Sequence, residues 1–257
     1  MRSRGREALR RTRSATLGPG STGIKGASVP LGGVVVVGRV HAVHRYPVKS
    51  MAGEVLEAAD LSWHGVVDDR RWGFVREGRV RDGFPWLTAR QRPDLVLHRP
   101  RLVGRTVVVR TPAGREHDVA DPALAALLGA RPMKLDRGTF DSAPVSLIST
   151  RSVAAVGAGD ARRFRPNLVV ETDGDEDDWV GWAVAVGGAV LRIDRRDRRC
   201  AVVSVDPDTG ERDRSVLRAI ARGHDMALGV YASVVVPGRI AVGDAVVPVS
   251  EGAPALL

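Results

Sequence analysis

The hydrophobic positions of this 257-residue chain alternate with polar ones over short stretches, the period of half-buried β-strands. Val34–Arg45, Val55–Leu61, Arg71–Arg76, Leu95–His98 and Thr106–Thr111 read as strands. In the second half Val145–Ile148, Leu168–Glu171, Ala189–Asp194, Ala201–Val205, Met226–Val236 and Ile240–Val249 read the same way. Glu77-Gly78, between Arg71–Arg76 and Arg79–Arg81, suggests a hairpin. Tyr46–Glu54 is a loop punctuated by proline and glycine.

Helical signals are few. Residues 122–128 carry a full set: Asp121 as N-cap, Pro122 at the first helical position and Gly129 past the end. Ser149 or Thr150 caps a second short helix running through Val156, and Ser215–Arg222 is a third, ended by Gly223. Many short strands with few helices predict a mainly β (α+β) fold of two β-barrel-like domains. The expected division is a tail over 1–33, a first domain over 34–137, a second over 138–250 and a short tail over 251–257.

Composition narrows this. Hydrophobic content of 44% and charged content of 27% are those of a globular protein with a real core. The longest apolar run, Val34 to Val37, suits a strand and is far below the ~20 residues of a spanning helix, so no membrane role is expected. The net charge of +9 invites a nucleic-acid reading, but residues 1–33 hold seven basic residues against the single Glu7. That leaves +3 for the rest, so nucleic acid is not the expected main partner. The tail, rich in Gly, Ser and Arg, is expected to be disordered and dispensable. Asp173 to Asp178 reads as a solvated acidic loop, lacking the spaced ligands of an EF-hand.

Cys200 is the only cysteine, so no intrachain disulfide and no iron–sulfur cluster held by four cysteines of this chain is expected. A reducing compartment fits that usage; the preference for arginine, with heavy Ala, Gly and Val, suggests a bacterial source, so a cytoplasmic, monomeric chain is expected. Arg198 and Arg199 precede the thiol, and a positive field favours the thiolate. Such a sulfur is a nucleophile, a ligand for a soft metal, or a small buried hydrophobe. Lysine occurs only at 25, 49 and 134, so Lys49 stands out where arginine is otherwise used. The loop Tyr46-Pro47-Val48-Lys49-Ser50 offers an ammonium, a hydroxyl and free amides, which suit a phosphate monoester. Asp68-Asp69-Arg70-Arg71-Trp72 adds a guanidinium, and Phe164-Arg165-Pro166-Asn167 offers donors for a heterocycle edge or for tying down its own loop. His41 and His44, three apart on a strand, point to opposite faces and make no zinc pair. There is no nucleophile elbow, P-loop or dinucleotide fingerprint.

Together with Leu87-Thr88-Ala89-Arg90-Gln91, the first two loops resemble the N-terminal β-barrel domain of MOSC proteins. Phe164–Asn167, Arg199-Cys200, Val205-Asp206-Pro207-Asp208-Thr209-Gly210 and Pro237–Asp244 resemble the MOSC domain itself, and the likeness covers about residues 34–249. Among MOSC proteins the chain is similar to the group of the mitochondrial amidoxime-reducing component.

The resemblance implies a molybdenum cofactor in a cleft between two domains, with Cys200 as the molybdenum ligand and catalytic residue. It implies that Lys49, Ser50, Arg70, Arg165, Asn167 and Tyr231 help hold the cofactor, with Ser142 from Asp141-Ser142-Ala143-Pro144. Ala143 and Arg198 depart from the hydroxyl residues that relatives carry there. The implied activity is reduction of small N-hydroxylated compounds such as amidoximes and hydroxylamines. Electrons would come from a separate protein, a flavin reductase, ferredoxin or b-type cytochrome. The alternatives are a cofactor carrier or a persulfide carrier without reductase turnover.

Overall fold

In the computed structural model seven strands close on themselves, and an early segment supplies one of the staves. The described residues are 35–76, 84–138 and 142–249; the expected hairpin at Glu77-Gly78, Asp141 and both tails lie outside them. In chain order the strands of the first part are β1 (Gly38–Arg45), β2 (Glu54–Leu56), β3 (Ala58–Ser62), β4 (Gly65–Val66), β5 (Trp72–Arg76), β6 (Arg99–Val103), β7 (Thr106–Arg110) and β8 (Glu116–Asp118). Helix α1 (Pro122–Leu128) and β9 (Ala130–Lys134) follow. Then come β10 (Val145–Ser149), α2 (Thr150–Ala155), β11 (Leu168–Glu171), β12 (Ala183–Val186), β13 (Ala189–Arg198), α3 (Ser215–Gly223), β14 (Ala227–Val236), β15 (Gly238–Ala241) and β16 (Ala245–Val249).

The barrel runs β11-β10-β14-β13-β12-β16-β1, and β1 pairs back onto β11 to complete it. All neighbours are antiparallel except β10 and β11. Alternating side chains from the staves, among them Val40, Leu147, Val170, Leu191, Ile193 and Val230, fill its interior. The other strands form smaller sheets, β6-β7-β8, β5-β9 and β15-β3-β4. Val48, Met51, Phe74, Val109 and Leu124 form a second core in the first part. A third lies between the barrel wall and α2 and α3, from Ile148, Phe164, Val203 and Ile220. The mainly β, barrel-type fold with few helices is therefore as expected, and the strand pairing runs across residue 137 in both directions. β1 lies in the barrel, while β15 pairs with β3.

Helix α1 has the predicted ends: Asp121 accepts from the Ala123 amide, and Gly129 adopts φ +61°. Five expectations are corrected. The runs Val55–Leu61 and Ile240–Val249, each read as one strand, are broken into β2 and β3 and into β15 and β16, and the two parts of each run join different sheets. Residues 93–97 form a 3₁₀ turn rather than a strand, because Pro93 presets the first helical position and Leu95 and Val96 turn inward together. Ala201–Ser204 is likewise a 3₁₀ turn, burying the consecutive pair Val203 and Ser204. The acidic stretch is only partly a solvated loop. Glu176 is fully buried, accepting from the Ser149 amide at 3.1 Å and the Ser152 hydroxyl at 2.9 Å at the start of α2.

Candidate functional site

The loop after β1 and the turn before β5 are laced into one scaffold. Asp69 accepts from the Tyr46 amide at 2.6 Å, the Arg70 amide donates back to the Tyr46 carbonyl at 2.6 Å, and the Lys49 amide donates to Trp72 at 2.8 Å. Tyr46 is buried between two guanidinium groups, Arg70 at 4.7 Å and Arg165 at 4.3 Å from the ring centre. Burial pushes its phenol up to about 12. Arg70 ion-pairs with Asp69 and donates to the Arg165 carbonyl at 2.9 Å and the Asn167 side chain at 3.3 Å. Arg165 donates to the Met51 carbonyl. Asn167 is fully buried; its amide donates to the Ser146 carbonyl at 2.7 Å and its side chain to the His44 carbonyl at 3.3 Å. Ser50, Arg70 and Arg165 all have positive φ, at +67°, +49° and +56°. Non-glycine residues held there are strained, and such strain gathers where side chains must be aimed.

They are aimed at one cavity of about 260 Å³. All eight residues singled out from sequence line it: Lys49, Ser50, Arg70, Ser142, Arg165, Asn167, Cys200 and Tyr231. Sequence reasoning missed Thr88, Arg90, Ser146, Arg163, Asp197 and Arg199 as lining residues. Thr88 and Arg90 lay in a quoted motif and Arg199 beside the cysteine. Nothing in the sequence marked Asp197.

Cys200 sits at the cavity wall just before the turn Ala201–Ser204, half-buried. A guanidinium that reaches its sulfur comes from elsewhere in the chain: Arg90 Nη2 donates to Sγ at 3.4 Å. Arg199, the adjacent residue, is turned away. It donates to the Leu228 carbonyl at 2.7 Å and the Phe164 carbonyl at 3.0 Å, and pairs with Asp197 at 2.8 Å. Gly229 makes this possible. It adopts φ +74°, and a Cβ there would lie 2.7 Å from the Leu147 carbonyl and 3.1 Å from Arg199 Nη2.

Among the described residues, seven cationic side chains line the cavity against the single carboxylate of Asp197. Burial pushes the Asp197 carboxyl above the usual carboxylate range, opposed by Arg199. Lys49 is buried, with its ammonium 5.9 Å from the Phe84 ring. Among the described residues no three His, Cys, Asp or Glu side chains gather to hold a metal ion. The lining thus offers one soft donor and many donors for an anion.

Loops around the β-barrel thus bring a thiol and seven cationic side chains to one cavity. The family model for the MOSC N-terminal β-barrel domain matches residues 37–146, and that for the MOSC domain matches residues 134–247. The chain belongs to the MOSC-domain proteins that carry this N-terminal domain.

Its relatives include the molybdenum cofactor sulfurase of Drosophila mojavensis, 25% identical over 244 residues, covering 73% of this chain and 31% of that protein. The molybdenum cofactor sulfurase of Anopheles gambiae is 41% identical over 75 residues, covering 28% of this chain and 10% of that protein. The chain spans less than a third of the length of these relatives. Among solved structures it is similar to the YuaD protein of Bacillus subtilis, with TM-score 0.47, 13% identity, and coverage of 82% of this chain and 94% of that one. It is also similar to YiiM of Escherichia coli, with TM-score 0.38, 13% identity, and coverage of 80% and 70%. Among the described residues no helix is long and apolar enough to cross a membrane.

Proposed function

We propose that the protein is a molybdenum-cofactor-dependent oxidoreductase that reduces small N-hydroxylated compounds with electrons from a separate donor protein. The observation that carries the reading is the convergence of residues spread from Lys49 to Tyr231 on one cationic cavity with Cys200 in its wall. The residues fit a phosphate-bearing pterin. Lys49, Ser50 and Arg70 lie close in one scaffold and supply an ammonium, a hydroxyl and a guanidinium for a phosphate. Arg165, Asn167, Ser142 and Tyr231 add polar groups for a heterocycle. Cys200 supplies the thiolate for a soft metal.

When bound, the cofactor supplies two-electron removal of an oxygen atom. The overall change consumes two electrons and two protons, converting an N-hydroxyl compound to the amine or amidine and water. The chain's own part is to anchor the anion, present the sulfur and leave a polar cavity that a small substrate enters. A flavin reductase, ferredoxin or b-type cytochrome fits the donor's role.

The names of the relatives favour a second reading, a cofactor or persulfide carrier in which Cys200 holds a sulfane sulfur. One experiment separates the two. The protein is produced in a host that makes the cofactor, and molybdenum, pterin and cyanide-releasable sulfur are measured. Turnover of benzamidoxime is followed with reduced methyl viologen. The oxidoreductase reading expects about one molybdenum and one pterin per chain, with benzamidine formed. Cofactor without turnover, or releasable sulfur that vanishes in Cys200→Ser, moves the assignment to a carrier. Absence of molybdenum and pterin overturns the cofactor reading.

A further inference from the structure

A second, smaller cavity of about 100 Å³ shares Arg163, Arg165 and Val202 with the lining of the large one, so these side chains form the partition between them. It gathers remote parts of the chain: the loop after β1, the 3₁₀ turn 93–97 with Arg99 beyond it, the 3₁₀ turn Ala161–Phe164, and the segment that follows Cys200. One side is apolar. Val96 and Val205 belong there to a small buried cluster with Ala89, and Val202 packs against it.

The polar side carries donors without partners. Tyr46 is 1% exposed, and its hydroxyl meets no hydrogen-bond partner among the described residues. Burial keeps that phenol protonated, so it has an O–H to give. Gly53 leaves room for the ring, since a Cβ there would lie 2.6 Å from Tyr46 Cε1. The Arg163 side chain is 11% exposed and donates to Asp206 through Nη2 at 2.5 Å. Its Nε and Nη1 are buried and meet no partner among the described residues. Buried polar groups are nearly always hydrogen-bonded, and leaving three unmade beside one cavity is costly. Water satisfies such groups where the surroundings are polar, but here it would also face the valines.

Among the described residues the lining holds four guanidinium groups, from Arg99, Arg162, Arg163 and Arg165, and no carboxylate. Asp160 and Asp208 pair with Arg162, and Asp206 with Arg163. Four cations against three carboxylates leave one positive charge, which a monoanion matches and a phosphate dianion exceeds. We propose that this cavity binds a small free monocarboxylate, whose carboxylate accepts from Tyr46 and Arg163 while its short alkyl chain lies against Val96, Val202 and Val205. The volume is that of roughly three waters at liquid density, so it takes a whole acid of about two to four carbons. The site stands whether or not the large cavity holds a cofactor.

The chain has two tyrosines, one lining each cavity, which gives a direct readout. Labelled with ¹³C at the ring carbon bearing the hydroxyl, the full-length protein yields two resonances, assigned with Tyr231→Phe. Sodium butyrate, added at constant ionic strength, should move the Tyr46 resonance saturably and leave Tyr231 in place. Butyramide, with the same shape and no charge, should move neither. Ala52 lines the small cavity and not the large one, so Ala52→Leu fills the site and should abolish the Tyr46 response. A Tyr46 signal unmoved by butyrate overturns the proposal, and this result needs no variant of the site to fold. An equal response to butyramide overturns it as well, and an equal response to sodium chloride means an adventitious ion only. A Tyr46 response that persists in Ala52→Leu places the acid in the large cavity and also overturns it.

The second arm measures the phenol's share. Tyr46→Phe keeps the ring between Arg70 and Arg165 and removes only the oxygen. The fluorine resonance of 4,4,4-trifluorobutyrate reports the dissociation constant in parent and variant alike. Loss of one hydrogen bond to a carboxylate should raise that constant about 10-fold. An unchanged constant in Tyr46→Phe overturns the site as assigned.

Discussion

Cys200 and Lys49 carry the sharpest residue-scale expectations, because each brings a chemistry its neighbours lack. Cys200 is the chain's only thiol, and Arg90 reaches its sulfur at 3.4 Å from a loop 110 residues earlier. Cys200→Ser changes one atom at a half-buried site, so the fold should persist while N-reductive turnover is lost. Undiminished reduction of benzamidoxime by the serine variant would remove Cys200 from the chemistry. Lys49 presents a compact ammonium; a charge-assisted hydrogen bond to a phosphate is worth about 1.5–3 kcal/mol. Lys49→Ala should therefore weaken cofactor retention by about 10- to 100-fold, and Lys49→Arg, with the charge in a larger planar group, should recover part of it. The check is the pterin-to-protein ratio after dialysis; equal ratios in both variants and the parent would free Lys49 from the role. Arg70 is less clean a probe, because it also holds Asp69, Asn167 and the Arg165 carbonyl. Cys200 and Lys49 stood out by residue type and the loops of Lys49 and Arg165 by their prolines, whereas Ser142 and Tyr231 came only from the family resemblance. Asp197 was illegible because its aim depends on register shifts in two strands, and register is a property of the pair.

At the scale of elements, local chemistry was legible where it is self-contained. The ends of α1 follow from Asp121, Pro122 and Gly129 without reference to the rest of the chain. Strand β11 falls where the run Leu168–Glu171 predicts it. The segments 93–97 and 201–204 were misread because a short apolar run has no period of its own, and a 3₁₀ turn that buries adjacent residues looks like a strand. Glu176 was misread for a different reason. Its neighbours Asp175, Asp177 and Asp178 make the stretch look solvated, yet this one carboxylate folds under to serve α2. Glu176→Ala should leave the Ser149 amide and Ser152 hydroxyl without their acceptor and destabilise the fold by about 1–3 kcal/mol. Urea unfolding of the variant and parent measures this directly. A change within experimental error would show that water replaces the carboxylate at no cost.

On the scale of the whole molecule, the deciding feature is that β1 closes the barrel from a distance in sequence. It pairs with β11 through Arg39 to Val43 and with β16 through Gly38 and Arg39. In return β15 leaves the second half to pair with β3. Periodicity identified these strands as strands but gave no sign of their partners, because pairing between remote segments is decided by the shape of the closed barrel. The cavity depends on the same closure, since its wall takes Lys49, Ser50 and Arg70 from the segment that follows β1 and Cys200 and Tyr231 from the other half. A fragment beginning at residue 138 would expose the facing edges of β11 and β16, each a row of unpaired backbone groups, along with the apolar interior that Val40 and Val43 cover. Such a fragment is expected to aggregate or to lack a cooperative unfolding transition. Co-expression with residues 34–137 should restore a soluble complex that unfolds in one step. Gel filtration and thermal denaturation followed by circular dichroism provide the measurement. A monomeric 138–250 fragment with a sharp transition near that of the intact chain would mean that the barrel stands without β1. The cavity would then be an assembly of two independently folding halves.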